Sequence, residues 1–251
     1  MRTVILHYHY FKNAGTSVDD ILARNFPGAW MTGEFDGMNN HEAVARWIAA
    51  NPQASAFSSH TAQFPLPAIE GVKVLPVVFL RHPLDRIASA YAFERKQVSD
   101  SFGAKLAKAM DMAGYIRVRL DSPNDMQCRN FQTFRIARLI PGPKVSEMDR
   151  ALDALTRLPF VGLVEDFDAS AARLAAWLRQ SFPGFQSFTV HKNETASKRL
   201  GLRDRLDRMR SEIGDSLYAE LLGANLKDIC LHHAAAVRVA EFEPLRVETV
   251  P

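Results

Sequence analysis

Cysteine is scarce in this sequence, and its scarcity excludes several kinds of protein. Only Cys128 and Cys230 occur among the 251 residues, and they lie far apart along the chain. Two isolated thiols cannot form a disulfide framework, and no Cys-x-x-Cys pair or cysteine–histidine cluster indicates a zinc site. We therefore expect a reduced protein with two unreactive thiols.

Long hydrophobic runs and a strong excess of one charge sign are also absent. No apolar run approaches the ~20 residues that a helix needs to cross a bilayer, and the first residues do not have the pattern of a signal peptide. The formal net charge of +3 is too small for a dedicated nucleic-acid binder, although it suits an anionic ligand. These features predict a cytoplasmic protein with no membrane span and no nucleic-acid partner.

What the sequence does contain is an alternation of apolar strands and amphipathic helices. Strands are predicted near residues 4–6, 54–58, 72–80 and 160–164. Helices are predicted at residues 41–50, 84–97 and 168–180, and several more within 102–138 and 203–241. This alternation predicts one α/β domain spanning residues 1–251, with a doubly wound parallel sheet, flanking helices and a helix-rich C-terminal half.

The strand at residues 72–80 is the most apolar and is predicted to be central. Pro76 cannot donate to a ladder, so pairing is expected to start only at Val77. In such sheets ligands bind outside the carboxyl ends of the strands. Residues that follow strands are therefore the first candidates for a functional site.

The loop after the first strand has the composition of an anion-binding site. Residues 7–17 read His-Tyr-His-Tyr-Phe-Lys-Asn-Ala-Gly-Thr-Ser, and an amphipathic helix follows. A strand, a tight loop and a helix N-terminus present backbone N–H groups to a phosphate or sulfate, and Lys12 adds a full positive charge. In a Walker A loop the lysine follows the last glycine, whereas Lys12 precedes Gly15. Asp19 and Asp20 would repel a phosphate unless they point away from it.

A second polar segment follows the most apolar strand. Residues 81–91 read Arg-His-Pro-Leu-Asp-Arg-Ile-Ala-Ser-Ala-Tyr. Arg81 at the end of a strand can bind a phosphate through two N–H groups, and Ser89 on the following helix can reach the same phosphate. Taken alone, the first segment also fits an ordinary capped turn, and the second fits the start of an amphipathic helix.

Together the two segments resemble the donor-binding loops of sulfotransferases that use 3′-phosphoadenosine 5′-phosphosulfate (PAPS). In that family a Pro-Lys-x-x-Gly-Thr-Ser loop holds the 5′-phosphosulfate, and an Arg-x-Pro-x-x-Arg-x-x-Ser-x-Tyr segment holds the 3′-phosphate. Phe11 replaces the usual proline, and His82 replaces the commoner aspartate. The resemblance covers roughly the first hundred residues well, and it is strongest to the branch that sulfates glycans such as heparan, in a bacterial-type cytosolic form.

The resemblance implies a P-loop-like fold and transfer of a sulfuryl group from PAPS, as cosubstrate and without a metal ion. The implied acceptor is a hydroxyl of a glycan or another hydroxylated small molecule. The implied donor-binding residues are those of both segments, namely Lys12, Asn13, Ala14, Gly15, Thr16, Ser17, Arg81 and Ser89. Lys12 would also stabilise the departing phosphate. His60, which follows the second predicted strand, matches the catalytic base of the glycan-directed branch, with a surface histidine as the alternative.

Other residues are weaker candidates. His7 and His9 compete with His60, but alternation along a strand favours packing or hydrogen bonding for both. A late basic stretch contains Lys198 and Arg199, which resemble nucleotide clamps of the family, although a solvated helix face explains them as well. The rival functions are a P-loop-type nucleotide kinase or NTPase, and a catalytically silent nucleotide-binding module.

Overall fold

The fold, seen in a computed structural model that describes residues 1–142, 145–188 and 200–241, is an α/β architecture around one parallel sheet. In the described residues the sheet has five strands in the order β2-β3-β1-β4-β5, and every neighbouring pair is parallel. The strands are β1 (Arg2–Tyr8), β2 (Trp30–Thr32), β3 (Ala56–Ser59), β4 (Val72–Leu80) and β5 (Gly162–Leu163).

Helices connect and cover the strands. They are α1 (Gly15–Asn25), α2 (His41–Ala50), α3 (Pro83–Lys96), α4 (Phe102–Ala109), α5 (Met112–Asp121), α6 (Phe131–Ile136), α7 (Glu147–Arg157), α8 (Phe167–Leu178), α9 (Leu202–Ile213), α10 (Asp215–Ala224) and α11 (Leu226–Glu241), with a 3-10 turn at Ala137–Leu139. The predicted helices and strands are confirmed within a few residues at their ends. The exceptions are β2 and α7, which are not among the predicted elements; β2 is too short for its periodicity to be recognised.

Pairing along β4 differs from the prediction. The prediction that pairing starts only at Val77 is wrong, because the ladder with β1 runs from Val72 to Val78 and includes Pro76. The opposite edge of β4 pairs with β5 only from Phe79 onward. At Pro76, one edge of β4 is therefore not paired with a neighbouring strand of the described residues. Proline is tolerated at such a position because it has no N–H to donate.

The two faces of the sheet are covered by different helices, because side chains alternate along a strand. Val4, Leu6 and Tyr8 of β1 pack into one core with residues of α2, α6, α7 and α11. Ile5 packs on the opposite face with residues of α1 and α8. A third core joins α3, α4, α5, α9 and α10. Parallel strands covered on both faces fit a doubly wound fold.

The carboxyl ends of the strands all lie at one edge of the sheet, because the strands are parallel. The loops after β1, β3 and β4 therefore meet there, and these loops carry the predicted site residues. In the part of the chain that the structure describes, no helix has both the length and the apolar character needed to cross a membrane.

Candidate functional site

The loop between β1 and α1 has a strained backbone. Lys12 and Ala14 have φ angles of 64° and 59°, in the left-handed region, which costs a residue other than glycine roughly 1–2 kcal/mol. The N–H of Tyr10 donates to the carbonyl of Tyr8 at 2.8 Å, and the N–H of Asn13 donates to that of Tyr10 at 3.0 Å. Strain of this kind is common at ligand sites, where the surrounding structure maintains it.

The first turn of α1 has backbone N–H groups that no described residue accepts. Ala14 is the N-cap residue, and no side chain caps the helix. The N–H of Ser17 donates to the carbonyl of Ala14 at 2.9 Å, whereas those of Gly15 and Thr16 have no acceptor in the described ranges. The hydroxyls of Thr16 and Ser17 likewise form no hydrogen bond with a described residue. The start of α1 therefore offers donors to an anion.

Asn13 anchors this loop to the sheet. Its side chain is buried, and its Nδ2 donates at 2.8 Å both to the carbonyl of Phe79 and to Oε1 of Gln132. Gln132 in turn accepts from the N–H of Arg81 at 2.9 Å and donates to the carbonyl of Arg81 at 2.8 Å. Asn13 thus influences the predicted site by holding the loop beside the end of β4.

Arg81 joins the two predicted segments. Its Nη1 donates to the carbonyl of Lys12 at 3.1 Å, and its Nε donates to Asp85 at 2.8 Å. Pro83 is the first residue of α3, so the helix starts two residues after this arginine.

One face of α3 is turned toward the β1–α1 loop. Asp85, Ser89 and Phe93 are spaced four residues apart and so share a helix face. Phe93 lies under Lys12, whose Nζ is 4.3 Å from the ring centre. Ser89 is half-buried, and its hydroxyl forms no hydrogen bond with any described residue. Lys12, Arg81 and Ser89 are thus gathered where this face of α3 meets the β1–α1 loop.

Two guanidinium groups meet at Asp85 on α3. Asp85 is buried and is shared by Arg81 and by Arg205 of α9, whose Nε and Nη2 donate to it at 2.8 and 3.0 Å. Burial raises the pKa of Asp85, but the hydrogen bonds from Arg205 and Arg81 and their charges lower it more, so the pKa lies below its ordinary value. Among the described residues, one carboxylate thus accepts from two guanidinium groups, and the charge of Glu165 also acts on Arg205.

Two further residues of the second segment are structural. Arg86 is fully buried, donates to Gln127, and lies 4.5 Å from the centre of the Phe131 ring. Tyr91 is buried too, and its hydroxyl donates to the carbonyl of Met110 at 3.0 Å. Lys198 and Arg199, the predicted nucleotide clamps, lie outside the described residues.

His60 follows β3 at the same edge of the sheet, and a carboxylate orients it. Its exposed ring places Nδ1 2.8 Å from Oε1 of Glu34, whose Oε2 accepts from the Thr61 hydroxyl at 2.8 Å. Burial raises the pKa of Glu34, but these hydrogen bonds lower it below its ordinary value. Since an ionised carboxylate can only accept, Nδ1 of His60 carries the proton of this hydrogen bond, and Nε2 is the proton acceptor whenever the ring is neutral.

His7 and His9 share a different carboxylate. Their Nδ1 atoms lie 2.8 Å from Oδ1 and Oδ2 of Asp19, respectively. Burial raises the pKa of Asp19, and the hydrogen bonds from both histidines lower it far more. Among the described residues these three side chains are grouped closely enough to hold a metal ion. Each ring contacts its own oxygen, however, so two hydrogen bonds account for the group.

Both aspartates of α1 are paired with histidine or arginine side chains. Asp19 is held by the two histidines, and Asp20 pairs with Arg24 at 2.8 Å. The repulsion of a phosphate that their position in the sequence suggests is therefore reduced.

His9 connects His60 to the start of α1. The His9 and His60 ring centres are 3.9 Å apart. On its other side the His9 ring packs against Gly15, where an added Cβ would lie 2.0 Å from Cδ2 of His9. The ring of His9 therefore contacts both His60, the predicted base, and the first residue of α1.

Comparison with known proteins identifies a relative, but the description of that relative names no activity. No protein-family model matches the sequence. A protein of Archaeoglobus fulgidus, described only as uncharacterized, is 40% identical over 240 residues, which are 92% of this chain and 94% of the archaeal protein. The chain belongs to the same family as that protein. Its function must therefore be inferred from the residues of the site.

Several residues of the site are not predicted by the sequence pattern. Glu34 lies in a loop 26 residues before His60, and Gln132 lies 51 residues after Arg81. Neither belongs to a recognisable motif. His9 and Asp19 are 10 residues apart, and the only signal for their pairing is that a strand and the next helix carry them to the same loop.

Proposed function

We propose that this protein is a PAPS-dependent sulfotransferase with a P-loop-like fold, acting on a hydroxyl of a carbohydrate or another hydroxylated acceptor. The observation that carries the proposal is the 3.1 Å hydrogen bond from Arg81 Nη1 to the Lys12 carbonyl. It joins two segments, 69 residues apart, that each resemble a donor-binding loop of this family. Adjacent parallel strands bring their following loops together in any case, so the support comes from the donor-binding pattern that both of these loops carry.

The residues present fit a donor that carries two separate anionic groups. The N–H groups of Gly15 and Thr16 have no acceptor in the described chain and suit the 5′-phosphosulfate. Arg81 and the Ser89 hydroxyl suit the 3′-phosphate. The two guanidinium groups that meet at Asp85 favour such an anion over a neutral ligand.

In the proposed reaction His60 is the base, oriented by Glu34, and Lys12 stabilises the departing phosphate. Bound PAPS supplies a sulfuryl group, whose bond to the 5′-phosphate oxygen breaks as the acceptor oxygen bonds to sulfur. Nε2 of His60 accepts the proton of the acceptor hydroxyl, while Glu34 holds Nδ1–H and stabilises the imidazolium that forms. The Lys12 ammonium stabilises the negative charge on the departing phosphate oxygen.

Calorimetry with adenosine 3′,5′-bisphosphate and with ATP tests the donor site. We expect the bisphosphate to bind at least about tenfold more tightly, because only a dedicated 3′-phosphate site distinguishes the two in this direction. Arg81→Ala should abolish the preference, and Arg117→Ala, at an exposed position of α5, should leave it intact.

Arg81 also has a structural role, so a second variant is needed. Ser89→Ala removes a hydroxyl without a described partner and should weaken bisphosphate binding while leaving the melting temperature unchanged. If ATP binds as tightly as the bisphosphate, or if neither variant alters the preference, the sulfotransferase proposal is wrong and a kinase or NTPase becomes the better hypothesis.

His60→Ala distinguishes an enzyme from a silent binding module. Transfer of ³⁵S from labelled PAPS to a panel of hydroxylated acceptors should fall by roughly 10²–10⁴-fold, the usual contribution of a general base. Binding of adenosine 3′,5′-bisphosphate should persist. His233→Ala, at an exposed position of α11, is the matched control. Retained transfer in His60→Ala would place the base elsewhere.

A further inference from the structure

One ring nitrogen of His9 has no hydrogen-bond partner among the described residues. The other, Nδ1, lies 2.8 Å from Oδ2 of Asp19. Burial raises the pKa of Asp19, but the hydrogen bonds from His7 and His9 lower it more, so the carboxylate is ionised and can only accept. Nδ1 of His9 therefore carries the proton of this hydrogen bond, and Nε2 remains available to a ligand.

Nε2 of His9 lies beside a backbone N–H that is also available to a ligand. A Cβ built on Gly15 would lie 2.2 Å from this Nε2. Because Cβ and the backbone nitrogen are bonded to the same Cα, Nε2 is at most roughly 5 Å from the nitrogen of Gly15. The N–H of Gly15 has no acceptor in the described ranges. Two nitrogen atoms this close can contact neighbouring oxygens of one oxyanion.

The same ring contacts the proposed base. The centres of the His9 and His60 rings are 3.9 Å apart, and the ring planes are tilted by 31°. In the proposed reaction the sulfur atom lies between the 5′-phosphate, bound at the start of α1, and the acceptor oxygen, bound at His60. A ring that contacts both Gly15 and His60 is therefore beside the group that is transferred.

His7 shares the carboxylate of His9 but not its position. Nδ1 of His7 lies 2.8 Å from Oδ1 of Asp19 and 3.3 Å from Oγ of Ser58. The His7 ring is buried and is stacked on the His9 ring, with their centres 5.3 Å apart. Among the described residues, no contact joins it to Gly15. His7 is therefore a matched control for a role that depends on Nε2 of His9.

The charges around His9 suit a protonated ring that binds an anion. When both ring nitrogens carry protons, Nδ1–H donates to Asp19 and Nε2–H is a charged donor for an oxyanion. Asp19 then stabilises the imidazolium, as an orienting carboxylate does. His60 takes up a proton in the proposed transfer, and it has a carboxylate of its own in Glu34. Each of the two neighbouring rings is thus matched by a negative charge.

We propose that Nε2–H of His9 donates a hydrogen bond to a sulfuryl oxygen of bound PAPS, so that His9 is a catalytic residue in addition to Lys12 and His60. This inference rests on the proposed function, because PAPS supplies the sulfuryl group. The hydrogen bond holds the sulfur in line between the departing phosphate oxygen and the acceptor oxygen.

Calorimetry with PAPS and with adenosine 3′,5′-bisphosphate tests this contact, because the bisphosphate lacks the sulfuryl group. His9→Asn retains an amide N–H that can donate to Asp19 and removes Nε2. We expect it to weaken PAPS binding about tenfold or more and to leave bisphosphate binding unchanged. His9→Gln, whose amide reaches toward the position of Nε2, should recover part of the PAPS affinity. His7→Asn should leave the ratio of the two affinities as it is in the parent protein.

The ratio of the two affinities separates a contact with the sulfuryl group from a structural role. Loss of packing alone would weaken both ligands in the same proportion. An unchanged ratio in His9→Asn would therefore overturn the proposal. An equal change of the ratio in His7→Asn would also overturn it, because the effect would then come from Asp19.

Nitrogen-15 NMR of His9 in the parent protein is a measurement that needs no variant. The Nε2 signal should move further toward that of a protonated ring nitrogen with PAPS than with the bisphosphate. Equal signals in the two complexes would contradict a hydrogen bond to the sulfuryl group.

The failure of this proposal is distinguishable from the failure of the sulfotransferase proposal. If the bisphosphate does not bind, or binds no more tightly than ATP, the sulfotransferase proposal is lost together with the sulfuryl contact. If the bisphosphate binds with the expected preference and the ratio in His9→Asn is unchanged, only the role of His9 is lost.

Discussion

The imidazole ring of His9 packs directly on the α-carbon of Gly15, the first residue of α1. A Cβ at position 15 would lie 2.0 Å from Cδ2 and 2.2 Å from Nε2 of His9. Both distances are far below van der Waals contact, so only glycine permits this packing. The contact holds His9 between Asp19 and His60 and sets the distance between the proposed base and the start of the helix.

Gly15→Ala should therefore destabilise the protein, although alanine is the better helix former. The added methyl group must push the His9 ring away, and overpacking of this kind costs about 1–3 kcal/mol of unfolding free energy. Urea denaturation measures the loss. Gly184→Ala is the matched control, because nothing lies within 4 Å of a Cβ built there. Equal unfolding free energies for the two variants would contradict the contact.

Asp19→Asn should also destabilise the protein. It removes the charge to which His7 and His9 donate, and hydrogen bonds to a charged group contribute about 1.5–3 kcal/mol. The pKa of Asp19 is lowered in the folded protein, so the unfolded state binds more protons as the pH falls. The stabilisation is thus fully present above the ordinary pKa of 3.8 and decreases below it.

The measurement is the unfolding free energy of parent and Asp19→Asn across this pH range. The difference should be constant from pH 7 to about pH 4 and should shrink in more acidic solution. Asp121→Asn, at an exposed position near the end of α5, should change stability by less than about 0.5 kcal/mol. A difference that grows on acidification would show that the carboxylate is not the stabilised form.

Glu34→Gln should lower the turnover number of the proposed sulfuryl transfer. Without the carboxylate, Nδ1–H of His60 is no longer held, and part of the population adopts the wrong tautomer. We expect kcat to fall on the order of 10²-fold, with adenosine 3′,5′-bisphosphate affinity unchanged. Steady-state kinetics and calorimetry measure the two quantities.

Glu42→Gln on the exposed side of α2 is the matched control for Glu34. If Glu34→Gln changes KM or nucleotide affinity but leaves kcat intact, the carboxylate does not orient the base. The dependence of kcat on pH is a further measurement. Its acidic limb should change in Glu34→Gln and not in Glu42→Gln, because only the first variant loses the orienting carboxylate.

The two cysteines should differ sharply in reactivity. Burial raises the pKa of the Cys128 thiol to about 12, and the charges of Arg86 and Arg119 offset only part of this effect. Cys230 is exposed on α11. Because the thiolate is the reactive form of cysteine, we expect the buried Cys128 to be unreactive. We expect the exposed Cys230 to react.

Titration with Ellman's reagent at pH 8 should detect one fast thiol in the native protein and a second only on unfolding. Cys230→Ser should remove the fast reaction, and Cys128→Ser should leave it. Two fast thiols would show that the core formed by α3, α5 and α9 opens readily.

The elements around the site were predictable to different degrees. The strand Val72–Leu80 and the helix that starts at Pro83 have strong local signals, an apolar run and a proline at the first helical turn. β2 has three residues and no such signal. The unpaired edge at Pro76 depends on where β5 begins, and β5 is distant from Pro76 in the sequence.

The amino-acid sequence by itself determined the alternation of strands and helices, the edge of the sheet at which Lys12, His60 and Arg81 lie, and the order of the two polar segments. These properties follow from local periodicity and from the rule that parallel strands end at one edge. Tertiary structure alone decided which carboxylate orients which histidine. Such pairings depend on packing between distant elements, and atomic distances of about 3 Å are not encoded in any short stretch of the chain.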